Sequence, residues 1–253
     1  MTTRVGVFGA GGRMGSTVCA AVAGDPDLEL VAAVDPAHTG EQVEGVTIAA
    51  DSDAMAAAEV AVDFTALVAA RTNARWCADH GVHAVIGTTG FTPDDIDDLN
   101  AAFSSSNCLL APNFAIGAVL MMRFAELAAP YFESAEVIEL HHDTKIDAPS
   151  GTAMMTVQRM AGASSTWAPD PTQHEVVPGA RGGAGPSGIR VHSVRLRGLV
   201  AHQEVLLGTA GQSLSIRHDS YDRSSFMPGV VLAVKQIASR PGVTVGLDAL
   251  LGL

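Results

Sequence analysis

Short apolar runs alternate with amphipathic stretches through about the first 110 residues, and that rhythm predicts a parallel sheet covered by helices on both faces. Arg4–Phe8 reads as a buried strand and Arg13–Ala23 as a helix closed by Gly24 and then Asp25-Pro26. Leu28–Val34 reads as a second strand ending at Asp35. Val60–Phe64 and Ala84–Ile86 are further short buried runs, separated by an Ala-rich amphipathic stretch from Leu67 to His80. Thr92-Pro93-Asp94-Asp95 is a helix start: a threonine cap, proline at the first helical position, and acids that complement the positive end of the helix dipole. Cys108–Ala111 is the next strand.

After Asn113 the rhythm changes. Ile116–Phe132 predicts a long apolar helix, Val137–Leu140 a strand, and Ser150–Met160 a second helix. Residues 162–188 are rich in Gly, Pro, Ser and Ala and read as a mobile loop without regular structure. Val191–Arg197, Gln203–Gly208 and Gln212–Arg217 alternate as an antiparallel meander would, and Ser225–Ala238 returns to an apolar helix. The fold class expected is therefore α/β: an N-terminal Rossmann-type parallel sheet plus a second, α+β domain with a mixed, largely antiparallel sheet. The boundaries expected are residues 1–113 with 225–253 for the first domain and 114–224 for the second. A chain of 253 residues is long enough for both cores.

Composition narrows the function classes. A formal net charge of -12 argues against a nucleic-acid or anionic-membrane surface, both of which need an excess of Lys and Arg. The three cysteines, Cys19, Cys77 and Cys108, are widely spaced and form no Cys-x-x-Cys pair, so they read as core residues in a reducing compartment. No uncharged apolar stretch is long enough to span a bilayer, and glycines interrupt the N-terminal apolar run where a signal peptide would continue it. The expected location is the cytoplasm.

The segment VGVFGAGGRMG, residues 5–15, carries glycines at 9, 11, 12 and 15 between a strand and a helix. Such a loop turns tightly and lets backbone N–H groups approach a pyrophosphate at a helix N-terminus. A glycine-rich turn alone is weak support. Here a second strand follows and ends in Asp35, twenty residues beyond Gly15, where a carboxylate accepts from adenosine ribose hydroxyls. Asp35 repels a 2′-phosphate, while Arg13 inside the loop attracts one, so use of both NADH and NADPH is expected, with NADH preferred. Gly87-Thr88-Thr89-Gly90 and Ala111-Pro112-Asn113-Phe114 also follow strands where a doubly wound sheet binds ligands, although ordinary turns would look the same.

The richest local chemistry is ELHHDTKIDAPSGTA, residues 139–153, which holds one of only two lysines in the chain. Successive strand residues face opposite sides, so His141 and His142 share a ligand only if the strand ends there. Adjacent histidines chelate one metal poorly, and no metal site is expected. Each histidine alone would read as a polar residue at a strand end. With Lys145 nearby, and with Pro149-Ser150-Gly151-Thr152 opening a helix, the cluster reads instead as a receptor for an anion beside an acid–base pair.

This stretch resembles the signature of the 4-hydroxy-tetrahydrodipicolinate reductase (dihydrodipicolinate reductase) family. The resemblance extends to Val5–Gly15, Asp63-Phe64-Thr65, Gly87–Gly90, Ala111–Phe114, Ser193-Val194-Arg195, Gly198 and His202, and is weak only over residues 162–188. It implies an oxidoreductase of the diaminopimelate route to lysine, which reduces 4-hydroxy-tetrahydrodipicolinate to tetrahydrodipicolinate with loss of water, using NADH and/or NADPH. It implies His141 as proton donor or acceptor and Lys145 as proton donor. His142, Lys145, Ser150, Gly151 and Thr152 would bind the dicarboxylate. Gly9, Ala10, Gly11, Gly12, Arg13, Met14, Asp35, Phe64, Gly87, Thr88, Thr89, Ala111, Pro112, Asn113 and Phe114 would hold the cofactor, with Arg223 and Phe226 closing over it. A homotetramer built through residues 114–224 is implied as well. The sequence departs from many relatives at Asp35-Pro36, where a basic residue often follows the acid. Two other readings stay open on the residues themselves: a different amino-acid or sugar dehydrogenase with the same cofactor domain, and a non-catalytic dinucleotide sensor.

Overall fold

The computed structural model describes residues 2–253, which divide into two units, one ending at Ile116 and resuming at Arg223, the other Gly117–Asp222. In the first unit the chain runs β1 (Thr3–Phe8), α1 (Arg13–Ala23), β2 (Leu28–Val34), the small hairpin β3 (Gln42–Val43) and β4 (Val46–Thr47), β5 (Val60–Asp63), α2 (Leu67–His80), β6 (His83–Ile86), α3 (Pro93–Ala102) and β7 (Cys108–Leu110). Next come α4 (Ile116–Ala128), β8 (Ser134–His141), α5 (Gly151–Ala163), β9 (Gly183–Ala184), β10 (Arg190–Arg195), β11 (Ala201–Thr209) and β12 (Gln212–Ser220). The chain closes with α6 (Met227–Gln236), β13 (Val243–Val245) and α7 (Asp248–Leu251).

The first sheet is wholly parallel, in the order β13-β7-β6-β5-β1-β2. Its strands are rich in Val, Ala and Leu because both faces are covered, and Val5, Val7, Val62, Val85 and Leu109 are all buried. Register aligns the strand ends: Phe8 lies opposite Val34 and Asp63, Asp63 opposite Ile86, and Ile86 opposite Leu110. The segments that follow β1, β2, β5, β6 and β7 therefore leave the sheet along one edge, where ligands of such sheets bind. Cys19, Cys77 and Cys108 are buried free thiols, and burial pushes Cys19 and Cys77 up to about 12.

The second sheet is mixed, in the order β12-β11-β8-β10-β9. The expected meander is only half present. β11 and β12 form an antiparallel hairpin, but β10 lies parallel to β8, which separates it from β11. Alternation reports which face a residue occupies and not which strand lies beside it, so the order was not readable from 191–217 alone.

Two helix boundaries shift at prolines. The helix expected over 116–132 ends at Ala128, and a 3-10 turn with Pro130 follows; the one expected from Ser225 starts as a 3-10 turn, Arg223–Phe226, before α6 with Pro228 in its first turn. The segment expected as a mobile loop carries more structure than its composition implies. α5 runs on to Ala163, β9 adds an edge strand, Ala168 N–H donates to Glu133 O at 2.7 Å, and Asp170 pairs with both Arg181 and Arg190.

Candidate active site

In the first unit the cofactor candidates gather along the aligned strand ends. The glycine loop leaves β1 at Gly9, whose φ of 73 favours glycine and whose N–H donates to Val34 O. Gly12 caps α1 without a side chain, so the helix's first N–H groups keep room for an anion. Gly15 is required for close approach: a Cβ there would stand 1.9 Å from Gly9 O. Ala10 is buried, and Arg13, at the first position of α1, is exposed. Met14 follows it, half-buried.

Asp35 is tied back to this loop. Its Oδ2 accepts Gly11 N–H at 3.1 Å and its Oδ1 accepts Ala37 N–H at 3.0 Å, while His38 Nδ1 lies 3.1 Å from Oδ2. A carboxylate accepts at about four positions, so acceptor capacity remains for a ribose. His38 was not singled out in the sequence, and its ring packs where a Cβ on Gly11 would fall.

Asp63 ties together the next two loops. Its Oδ1 accepts from Thr65 N–H at 2.8 Å, Thr65 Oγ1 at 2.7 Å and Thr88 Oγ1 at 3.1 Å, and its Oδ2 accepts from Asn73 Nδ2 at 2.7 Å. Phe64 packs on Phe114 with ring centroids 5.6 Å apart and leaves no room for a Cβ on Gly87. Thr89 is exposed beyond Thr88. Buried Ala111 and exposed Pro112 lead to Asn113, whose Oδ1 accepts Ala115 N–H at 2.9 Å. Two clefts result: one of about 370 Å³ between Gly9, Gly12, Asp35 and Asn73, and one of about 350 Å³ between Phe64–Leu67 and Gly87–Thr89. Phe64 and Thr65 line both. The exposed Arg223 and half-buried Phe226 lie in the 3-10 turn beside α1. An uncapped helix start, a carboxylate at the end of β2 and a cleft on each side of Phe64 fit a dinucleotide.

In the second unit β8 ends at His141 and the chain turns, with Lys145 N–H donating to His142 O. His142 therefore leaves the strand; it is exposed, and its Nδ1 contacts Thr144 Oγ1 at 2.7 Å. Lys145 Nζ donates to both carboxylate oxygens of Asp147, at 2.7 and 2.8 Å. That contact holds the Asp147 carboxyl below its ordinary value. Ser150 is buried and spends its side chain as the cap of α5, accepting Ala153 N–H at 3.2 Å. Gly151 is exposed, with open space where a Cβ would be, and half-buried Thr152 follows it.

Two residues to which the sequence gave no role bind this cluster into one body. Glu139 is fully buried, and Arg195 grips it with a two-pronged guanidinium at 2.9 and 2.8 Å. Arg195 also donates to Asp147 O at 2.6 Å, which fixes the lysine-bearing turn to the strand. His141 Nδ1 lies 2.5 Å from Glu139 Oε2, and Ser150 N–H donates to Glu139 Oε1 at 3.2 Å. Burial pushes the Glu139 carboxyl up, but Arg195, Ser193 and His141 outweigh it and leave it below the ordinary value. Burial lowers the His141 imidazole; Glu139 raises it, and Lys145 and Arg195 lower it further, for a net downward shift. Among the described residues no group of His, Cys, Asp and Glu could hold a metal ion, and no helix is long and apolar enough to cross a membrane.

The sequence matches the family described as dihydrodipicolinate reductase, N-terminus, over residues 3–114, and dihydrodipicolinate reductase, C-terminus, over residues 117–251. A 4-hydroxy-tetrahydrodipicolinate reductase from Nocardia farcinica is 54% identical over 260 residues, covering 100% of both chains. One from Mycolicibacterium vanbaalenii is 51% identical over 254 residues, covering 99% of each. The solved structure of a dipicolinate-bound dihydrodipicolinate reductase from Paenisporosarcina sp. TG-14 superposes with a TM-score of 0.89 at 38% identity, covering 98% of this chain and 99% of that one.

Proposed function

The chain belongs to the dihydrodipicolinate reductase family, and we propose how its own residues carry that family's reaction, the NAD(P)H-dependent reduction of 4-hydroxy-tetrahydrodipicolinate. The substrate loses water to give a C=C–C=N ring system, and bound NAD(P)H supplies a hydride to a ring carbon. The negative charge that results is delocalised onto the ring nitrogen, and an acid must quench it. Lys145 is that acid, released from Asp147 when the dianionic ring arrives. Burial holds the His141 imidazole below its ordinary value, and a neighbouring dianion favours its protonated form, so it gains or gives a proton at Nε2. Gly151 and Thr152 hold one carboxylate through the α5 N-terminus, His142 contacts the ring, and Ser150 contributes by shaping the helix start. The observation that carries this reading is the double reach of Arg195 to Glu139 and to Asp147 O, because it keeps the strand end, the lysine turn and the helix start in one place. The ring dicarboxylate named for the Paenisporosarcina relative supports the same class of ligand.

Gly9–Met14, Asp35, Phe64, Gly87–Thr89 and Ala111–Phe114 hold the cofactor, with Arg223 and Phe226 covering it. With Asp35 directed at the ribose hydroxyls and Arg13 exposed nearby, both NADH and NADPH serve, NADH better. Matched Michaelis constants test this, and strict NADPH dependence would overturn it. Gly15→Ala places a methyl 1.9 Å from Gly9 O, so α1 must move away from the loop. NADH affinity measured by fluorescence quenching is expected to fall at least about tenfold, the effect of roughly 1.4 kcal/mol of lost binding.

The chain assembles as a homotetramer in the cytoplasm. Exposed Leu196 and Leu214 on the second unit support assembly. Light scattering should return four times the 26.0 kDa chain mass. The decisive assay follows NADH absorbance with freshly generated 4-hydroxy-tetrahydrodipicolinate, then with aspartate and sugar acids. Oxidation with the first alone supports the reductase; oxidation with the others supports a different dehydrogenase, and none with any a sensor.

A further inference from the structure

We propose that Glu139 is the positioning residue of the catalytic histidine: its buried carboxylate fixes the proton of His141 on Nδ1, presents Nε2 to the substrate, and anchors the α5 anion receptor to the same point. This deepens the role given to His141 above and rests on it. Glu139 sits at the third-last position of β8 with no exposed surface, two residues before His141 and therefore on the same face of the strand. β10 lies parallel alongside, with Ser193 opposite Glu139 and Arg195 opposite His141.

The hydrogen-bond inventory around this carboxylate is one-sided. Arg195 donates two bonds and Ser150 N–H one, and Arg and backbone N–H have no acceptor to offer. Three donors already meet the carboxylate, which when ionised has no proton of its own to give, so His141 Nδ1 facing it must donate as well. Nδ1 carrying a proton leaves Nε2 as the ring nitrogen that exchanges protons with substrate. The charged groups that act on His141 are Glu139 on its own strand, Arg195 on β10, and Lys145 on the following turn, itself held by Asp147. Of these, Glu139 is the one hydrogen-bonded to the imidazole. The same carboxylate holds Ser150 N–H, so a displacement of Glu139 moves the histidine and the helix start together.

Glu139→Gln is close in shape but puts an amide NH₂ among donors, whichever way it turns. Facing His141, it makes Nδ1 an acceptor and moves the proton to Nε2; facing Arg195 and Ser150, it breaks their contacts. The first readout needs no substrate: ¹⁵N-resolved histidine spectra of the full-length protein, with the His141 signal assigned by its loss in His141→Asn. Wild type should show Nδ1–H, and Glu139→Gln a shift toward Nε2–H. The second is the pH profile of kcat/KM, in which the histidine limb should move to lower pH in Glu139→Gln as the carboxylate's stabilisation of the imidazolium is lost. kcat should fall at least tenfold while the KM for NAD(P)H stays constant. A purely structural glutamate would lower thermal stability without moving the limb or the tautomer. Should Glu139→Gln fail to fold, the wild-type spectrum alone decides, and a dominant Nε2–H tautomer there overturns the proposal. Unchanged spectra and pH limb in a folded Glu139→Gln overturn it too. Full activity of His141→Ala would instead remove the catalytic role, and the tautomer result would stand apart from it.

Discussion

Lys145→Ala is expected to lower kcat by about 10²- to 10⁴-fold, the range for loss of a positioned acid, with NAD(P)H affinity unchanged. Lys145 supplies both a positive charge for a dianionic ring and a proton for the charge that hydride addition creates. Lys145→Arg separates the two. Arginine keeps the charge and can reach Asp147, but it does not give up a proton near neutral pH. If Lys145 is the acid, Lys145→Arg should retain substrate KM within a few-fold and lose nearly as much turnover as Lys145→Ala. Rapid single-turnover mixing is the measurement of choice, because it isolates chemistry from product release. Turnover preserved in Lys145→Arg would reduce the lysine to charge recognition and pass the proton to His141. His141→Ala should bring a loss of the same order, and its residual activity should lose the histidine limb of the pH profile.

Most of the first unit was legible because its signals are local. The helix Arg13–Ala23 and the strand Leu28–Val34 appear with the bounds their capping and apolar runs dictate, and Thr92-Pro93-Asp94-Asp95 forms a full capping box. What escaped detection is short or non-local. β3 and β4 have two residues each, joined by Glu44-Gly45 with both φ positive, and a glutamate at the first of these positions is not the asparagine or aspartate that marks such a turn. β13 is three residues long, and it is an edge strand because Val243 finds Cys108, far away in sequence. The place of β10 beside β8 is likewise a long-range pairing with no local trace.

The candidate site divides in the same way. His141, Lys145 and the Ser150–Thr152 helix start stand out by residue type and spacing. Glu139 did not, because a carboxylate in an apolar strand reads as an outward-facing residue. The signal that could have found it is the strand period: Ala135, Val137, Glu139 and His141 share one face, so a strand that buries the first two buries the glutamate as well. A carboxylate forced inward needs a cation, and one of the chain's thirteen arginines is the partner. Which arginine follows only from the β8–β10 register.

That pairing makes Arg195→Ala the most damaging substitution expected for stability. Removing the guanidinium leaves a carboxylate with no exposed surface and no cation against it, and breaking a buried pair in this way costs roughly 3–5 kcal/mol. For a chain of this size that corresponds to a fall in Tm on the order of 10 °C. The pH dependence should reverse sign. In the native protein the folded pKa of Glu139 lies below its unfolded value, so its contribution is present above the unfolded value and is lost as pH falls through the folded one. In Arg195→Ala, burial, the largest influence on this carboxyl, is no longer outweighed, and the folded pKa rises above the unfolded one. The contribution of Glu139 is then present at low pH and lost as pH rises through the folded value. The stability deficit against wild type should therefore be widest near pH 8 and narrow toward pH 5, as measured by urea midpoints at both values. Arg195→Lys restores a charge without the fork and should fall between the two. A deficit equal at both pH values would mean that the loss is one of packing and that Glu139 does not depend on Arg195 for its charge.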